Sequence, residues 1–204
     1  GQGNTRIHFQ CWLPRTAPRA VVVIAHGLGE HGGRYAHVAR RLVNARCATY
    51  ALDHRGHGRS DGPRALIDNF AHAMDDIDQL VERVRRRHAG LPVYLLGHSM
   101  GGALSLGHAL RHGHKLAGLL LSGPAVALDG APPLLKPMSK WLSALTPRLG
   151  LFRIDPTLVT RDRYMVDDYK SDPLNCHGKV PVATLGQIVR FVDALSDQLP
   201  QLEL

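Results

Sequence analysis

Four apolar runs, at residues 20–25, 47–52, 92–96 and 116–121, recur along the first part of the chain, each the length of one strand. A run that is apolar at nearly every position must be buried on both faces, which an alternating strand does not require. The segments between them have helical spacing. Residues 34–43 have helical character, and 69–87 carry Phe70, Met74, Ile77, Leu80, Val81 and Val84 at steps of three and four. Residues 101–112 form a further helical stretch, rich in Gly and Ala. Strand and helix in alternation imply an α/β fold: a mainly parallel sheet with helices on both faces, because parallel neighbours need a crossover connection. A short, partly alternating run at 7–12 adds an early strand. Functional loops in such folds gather at the carboxyl ends of the strands.

The alternation stops after Ser122. Pro132, Pro133, Pro137, Pro147, Pro156, Pro173 and Pro181 interrupt the chain, and Leu134, Leu135, Met138, Leu142, Leu145 and Leu149 make an apolar stripe near helical spacing. Residues 182–195 read as another helix. We therefore expect a core over residues 1–123 and a helical lid, or cap, over 124–204, with the last strands of the fold missing from this chain.

The net charge of +8 raises the question of a nucleic-acid partner. Its dense basic run, Arg83, Arg85, Arg86, Arg87 and His88, falls at a predicted helix end, where cations offset the dipole. No aromatic residues interleave with it, so no nucleic-acid partner is expected. No apolar run approaches the ~20 residues that span a bilayer. Three cysteines, none in metal or redox spacing, suit reduced thiols in the cytoplasm, with Cys11 and Cys47 expected as small core residues.

Gly97-His98-Ser99-Met100-Gly101 matches G-x-S-x-G between a buried strand and a helix of small residues. That context presents a serine hydroxyl on a strained turn, and the glycines relieve crowding against the neighbouring strand and helix. Ser99 is the expected nucleophile. A tetrahedral oxygen formed on Ser99 attack needs two main-chain N–H donors. One is expected from Met100. The other is expected from Leu28, in the His26-Gly27-Leu28-Gly29 loop that follows the 20–25 strand. A third glycine-rich loop, Asp53 to Ser60, follows the 47–52 strand, and an Asp53–Arg55 pair is expected to fix it.

The three loops in this order resemble the α/β-hydrolase superfamily, and more closely the monoacylglycerol lipases and lysophospholipase-like serine hydrolases. The resemblance is carried by His26-Gly27-Leu28-Gly29-Glu30-His31 with Gly33-Arg34-Tyr35, by Asp53 through Ser60, by Gly97 through Gly102, and by Tyr169-Lys170-Ser171-Asp172-Pro173-Leu174. It implies hydrolysis of a small lipid ester, a glycerol or lysolipid monoester, through an acyl-serine intermediate, with no cofactor and no metal. It suggests Glu30 and Arg34 as residues that bind the glycerol head, or that only brace the loop. The stripe from Leu134 to Leu149 becomes an acyl-chain channel and a surface for peripheral membrane contact through the lid, or else plain helix packing.

The same resemblance puts the triad acid and histidine after the lid, on loops that follow further strands. None of His108, His112, His114, His177, Asp193 and Asp197 matches those positions, so neither partner is expected in this chain. A metal site at His108 and His112, one helical turn apart, lacks further ligands nearby in sequence. A non-catalytic lipid- or partner-binding member of the same fold is the alternative.

Overall fold

A computed structural model describes residues 1–127 and 145–204. A five-stranded sheet forms its centre, with strands β1 (Phe9–Trp12), β2 (Ala20–Ala25), β3 (Cys47–Leu52), β4 (Val93–His98) and β5 (Gly118–Ser122) in the order β1-β3-β2-β4-β5. β2, β3, β4 and β5 are parallel, and β1 runs antiparallel to β3. Helices α1 (Ala36–Asn44), α2 (Phe70–Arg87) and α3 (Met100–His112) make the crossovers.

The two-faced burial expected of the apolar runs is explicit in β2. Val21, Val23 and Ala25 point into the larger core with residues of α2 and α3, while Ala20, Val22 and Ile24 pack with Val38 and Leu42 of α1. The Asn69 side chain caps α2 by accepting from the Ala71 N–H, and the last turn of α2 holds Arg85, Arg86 and Arg87. β5 lies at the sheet edge, with Leu120 and Leu121 exposed.

Two expectations change here. β1 begins at Phe9, and Cys11 on it is exposed, because an edge strand buries only part of its surface; Cys47, on the central β3, is buried. The residues after 144 are not purely helical. β6 (Gly150–Arg153) and β7 (Lys179–Pro181) form a small antiparallel pair, with α4 (Pro156–Val159) and α5 (Arg163–Ser171) between them. Strands of three and four residues are too short to show a period. Of the apolar stripe, Leu134, Leu135, Met138 and Leu142 lie outside the described residues, while Leu145 and Leu149 are exposed.

The final helix, α6 (Val182–Gln198), docks on the core. Ile188 joins the main cluster, and the Phe191 ring lies 6.0 Å from that of Phe70. Thr184 Oγ1 accepts from Ile67 N and donates to Ala65 O, while Gln187 receives Phe70 N–H and donates to Asp68 O. Among the described residues no helix is long and apolar enough to cross a membrane.

Candidate active site

Ser99 sits between β4 and α3 with φ 52° and ψ −119°. Positive φ on a residue other than glycine costs on the order of 1–3 kcal/mol and persists only where neighbours enforce it. They do so here. The Ser99 N–H donates to Ser122 O at 3.1 Å, and the Ser99 carbonyl accepts from Ala103 N and Ala125 N at 3.1 and 2.9 Å. The elbow is thus tied to the end of β5 on one side and to α3 on the other.

The flanking glycines are needed for close approach. A side chain at Gly97 would lie 2.6 Å from the Gly101 carbonyl oxygen, and one at Gly101 would overlap the carbonyl oxygens of Ala25 and His26. Gly101→Ala is expected to cost about 1–3 kcal/mol of stability, since main chain rather than a flexible side chain must give way. A urea midpoint equal to that of the unsubstituted chain would contradict this.

The loop after β2 closes directly over the serine. A Cβ built on Gly27 would come within 3.4 Å of the Ser99 Cβ. Ser99 is partly exposed and Met100 is buried, while Leu28 is half-buried against the main core. Among the described residues neither the Leu28 nor the Met100 N–H has a protein acceptor. A partly exposed serine hydroxyl of this kind can attack a carbonyl carbon, and main-chain N–H groups left without protein acceptors are the type of donor that the resulting oxyanion needs.

Glu30 and Arg34 are tied into the protein. Glu30 Oε1 accepts from Gly27 N at 2.7 Å and from the Tyr35 hydroxyl at 2.8 Å, and Arg34 reaches Glu30 and Asp168 at 3.4 and 3.1 Å. Arg34 also lies 5.1 Å from the centroid of the Tyr169 ring. Burial, then the Glu30 charge, pushes the Tyr169 hydroxyl up to about 12, and the same two causes raise that of Tyr35.

A clamp from the α5 region was not apparent in the sequence. The Gly29 carbonyl accepts from the Tyr169 hydroxyl at 2.9 Å and from Cys176 N at 2.8 Å. His31 Nδ1 accepts from Gly33 N, so Nε2 carries the proton and donates to Asp172 Oδ2 at 2.7 Å. These partners stand some 140 residues from the loop in sequence, and no local signal connects them.

The expected Asp53–Arg55 pair does not form. Asp53 accepts from Gly32 N and Arg59 N, while Arg55 pairs with Asp76 of α2 at 2.8 Å. Asp53 is taken up by main-chain N–H groups of its own loop and of the loop after β2, whereas the longer Arg55 reaches across to the helix. His108, His112 and His114 lie at the far end of α3, where His108 Nε2 is 3.0 Å from Asp78. Among the described residues no three His, Cys, Asp or Glu side chains are grouped to hold a metal. No histidine or carboxylate among them hydrogen-bonds to the Ser99 hydroxyl.

Against known proteins, the family described as serine aminopeptidase, S33, matches residues 16–204. A monoacylglycerol lipase of Mycolicibacterium smegmatis is 42% identical over 202 residues, which cover 98% of this chain and 71% of that protein. Human monoglyceride lipase is 38% identical, with 94% of this chain and 64% of the human protein aligned. The crystal structure of a monoacylglycerol lipase from Paleococcus ferrophilus superposes with a TM-score of 0.85 at 29% identity, covering 97% of this chain and 74% of that one.

Proposed function

The chain belongs to the serine aminopeptidase S33 family, as a monoacylglycerol lipase-like α/β hydrolase, and on that footing we propose that it carries the nucleophile of an enzyme cleaving monoacylglycerol- or lysophospholipid-like esters. The supporting observation is Ser99 itself, held at positive φ, partly exposed, with the Gly27 loop packed against its side chain.

In the proposed reaction the Ser99 oxygen bonds to the ester carbonyl carbon as its proton passes to a general base. The carbonyl oxygen becomes negative and is met by the N–H groups of Leu28 and Met100. Collapse expels the alcohol, which takes up the proton, and leaves an acyl-serine. Water then attacks the same carbon, releases the fatty acid and returns the proton to Ser99. None of the chain's own histidines or carboxylates is assigned the role of general base or of its orienting acid.

Glu30 and Arg34 shape the head-group side of the site chiefly by bracing the loop, since each already has protein partners. Leu145, Leu149, Phe152, Tyr164 and Met165, each exposed beyond residue 144, are among the described apolar and aromatic side chains of the lid region free to meet a lipid layer.

A fluorophosphonate probe applied to the complete gene product is expected to label Ser99, and Ser99→Ala is expected to remain unlabelled. Release of fatty acid from a monoacylglycerol should be lost with the label. Lipid binding without turnover or labelling would instead favour a non-catalytic protein of this fold.

A further inference from the structure

Behind the serine, the loops at the ends of β2 and β3 bring three histidines together away from water. His26, His54 and His57 are all buried, with ring centroids 4.4 Å apart for His26 and His54 and 5.3 Å apart for His26 and His57. Two hydrogen bonds fix the state of His26. The His54 main-chain N–H donates to its Nε2 at 2.9 Å, so that nitrogen holds a lone pair. In the neutral ring the proton is then on Nδ1, which donates to the Gly27 carbonyl oxygen at 2.7 Å.

The Gly27 carbonyl and the Leu28 N–H belong to one peptide unit. A trans peptide is planar, and its C=O and N–H point in opposite directions. Whatever anchors the carbonyl therefore aims the amide. The preceding amide, Gly27 N–H, is held separately by Glu30.

We propose that His26 is a positioning residue for ester hydrolysis, holding the Gly27 carbonyl from behind so that the Leu28 N–H points at the oxygen that becomes negative when Ser99 attacks. The proposal rests on the assignment of Leu28 as an oxyanion donor. A donor of this kind is effective because it needs no reorientation as charge develops. Donation to the carbonyl also polarises the peptide and strengthens its N–H as a donor.

The arrangement requires a neutral imidazole, since a proton on Nε2 would face the His54 N–H. The titratable and charged groups acting on His26 and its neighbour His54 are His31, Asp53, His57 and Arg55. Burial pushes His26 down to about 4, against the smaller upward pull of the Gly27 hydrogen bond and Asp53. The tautomer that aims the peptide is thus maintained throughout neutral pH.

In the complete gene product, His26→Phe removes both hydrogen bonds and keeps a ring of similar size. Its kcat is expected to fall about 10- to 100-fold, approaching the loss seen when an oxyanion donor is deleted, with KM changed less than about threefold. His26→Asn places an amide N–H near the position of Nδ1 and is expected to recover most of that loss. An unchanged kcat in His26→Phe, or a loss that Asn does not recover, overturns the proposal.

A second measurement needs neither turnover nor a variant. Long-range ¹⁵N NMR of the unsubstituted chain is expected to show His26 protonated at Nδ1 and not titrating near pH 6.5. A proton on Nε2, or titration in the ordinary histidine range, overturns the proposal even if His26→Phe does not fold. Failure of the hydrolase assignment has a different signature, an unlabelled Ser99 in the unsubstituted protein, and that result overturns both.

Discussion

An Asp53→Ala chain is expected to lose about 3–5 kcal/mol of unfolding free energy, because two charge-assisted hydrogen bonds at roughly 1.5–3 kcal/mol each would vanish together. Asp53 is 1% exposed. One carboxylate oxygen accepts from Gly32 N at 2.8 Å and the other from Arg59 N at 2.9 Å. Gly32 opens the short helical turn Gly32–Tyr35 in the loop after β2, and Arg59 lies in the glycine-rich loop after β3. One side chain therefore fastens two of the three loops that define the site. Alanine would leave the buried Gly32 amide without an acceptor, and the positive φ of Gly58 shows how tightly the chain folds around the carboxylate. Asp53→Asn retains one acceptor but turns an NH₂ toward an N–H, so it should recover only part of the loss. Urea unfolding monitored by circular dichroism measures both. A loss below about 1 kcal/mol for alanine would show that the loops are fastened by other contacts.

Such loops mark where sequence reasoning reached its limit. β2 and α2 were legible because burial on two faces and a three-four spacing are local patterns, and both elements appear within a residue or so of their expected positions. The elbow was legible for the same reason, since strand, serine and glycines are contiguous in the chain. The partner of Asp53 was misread because Arg55 lies two residues away, whereas the actual bonds reach back to Gly32 and forward to Arg59. Arg55 instead finds Asp76, 21 positions later. Cys11 was misplaced because an apolar flank does not reveal that its strand lies at a sheet edge. The contacts of Gly29 with Tyr169 and Cys176 depend on how the α5 region folds back, and no period or motif encodes that.

The three buried histidines set the second large effect, a steep loss of stability in mild acid. Burial is the first cause in each case, lowering His26 to about 4, His57 to about 3 and His54 well below its usual value. Above about pH 6.5 the rings are neutral in both folded and unfolded chains, and nothing is lost. Below it the unfolded chain takes up protons that the folded chain refuses, so each ring removes about 1.4 kcal/mol per pH unit until its own folded value is reached. For His26 at pH 4.5 this amounts to roughly 3 kcal/mol, a large share of the 5–15 kcal/mol that stabilises an ordinary domain, and burial of His57 and His54 acts in the same direction. Stability is therefore expected to fall steeply between pH 6 and 4, well above the acidity that protonates most paired carboxylates. His54→Leu separates this cause from the others, because among the described residues neither His54 ring nitrogen makes a well-formed hydrogen bond, the His26 main chain being its nearest polar partner, so an apolar replacement gives up little from that side chain. The variant should match or exceed the parent in urea stability at pH 7.5. Between pH 6 and 5 its stability should decline more gently by about one proton's slope. Parallel pH profiles for parent and variant would show that His54 takes up its proton in the folded state as readily as in the unfolded one, and that the cluster is open to water.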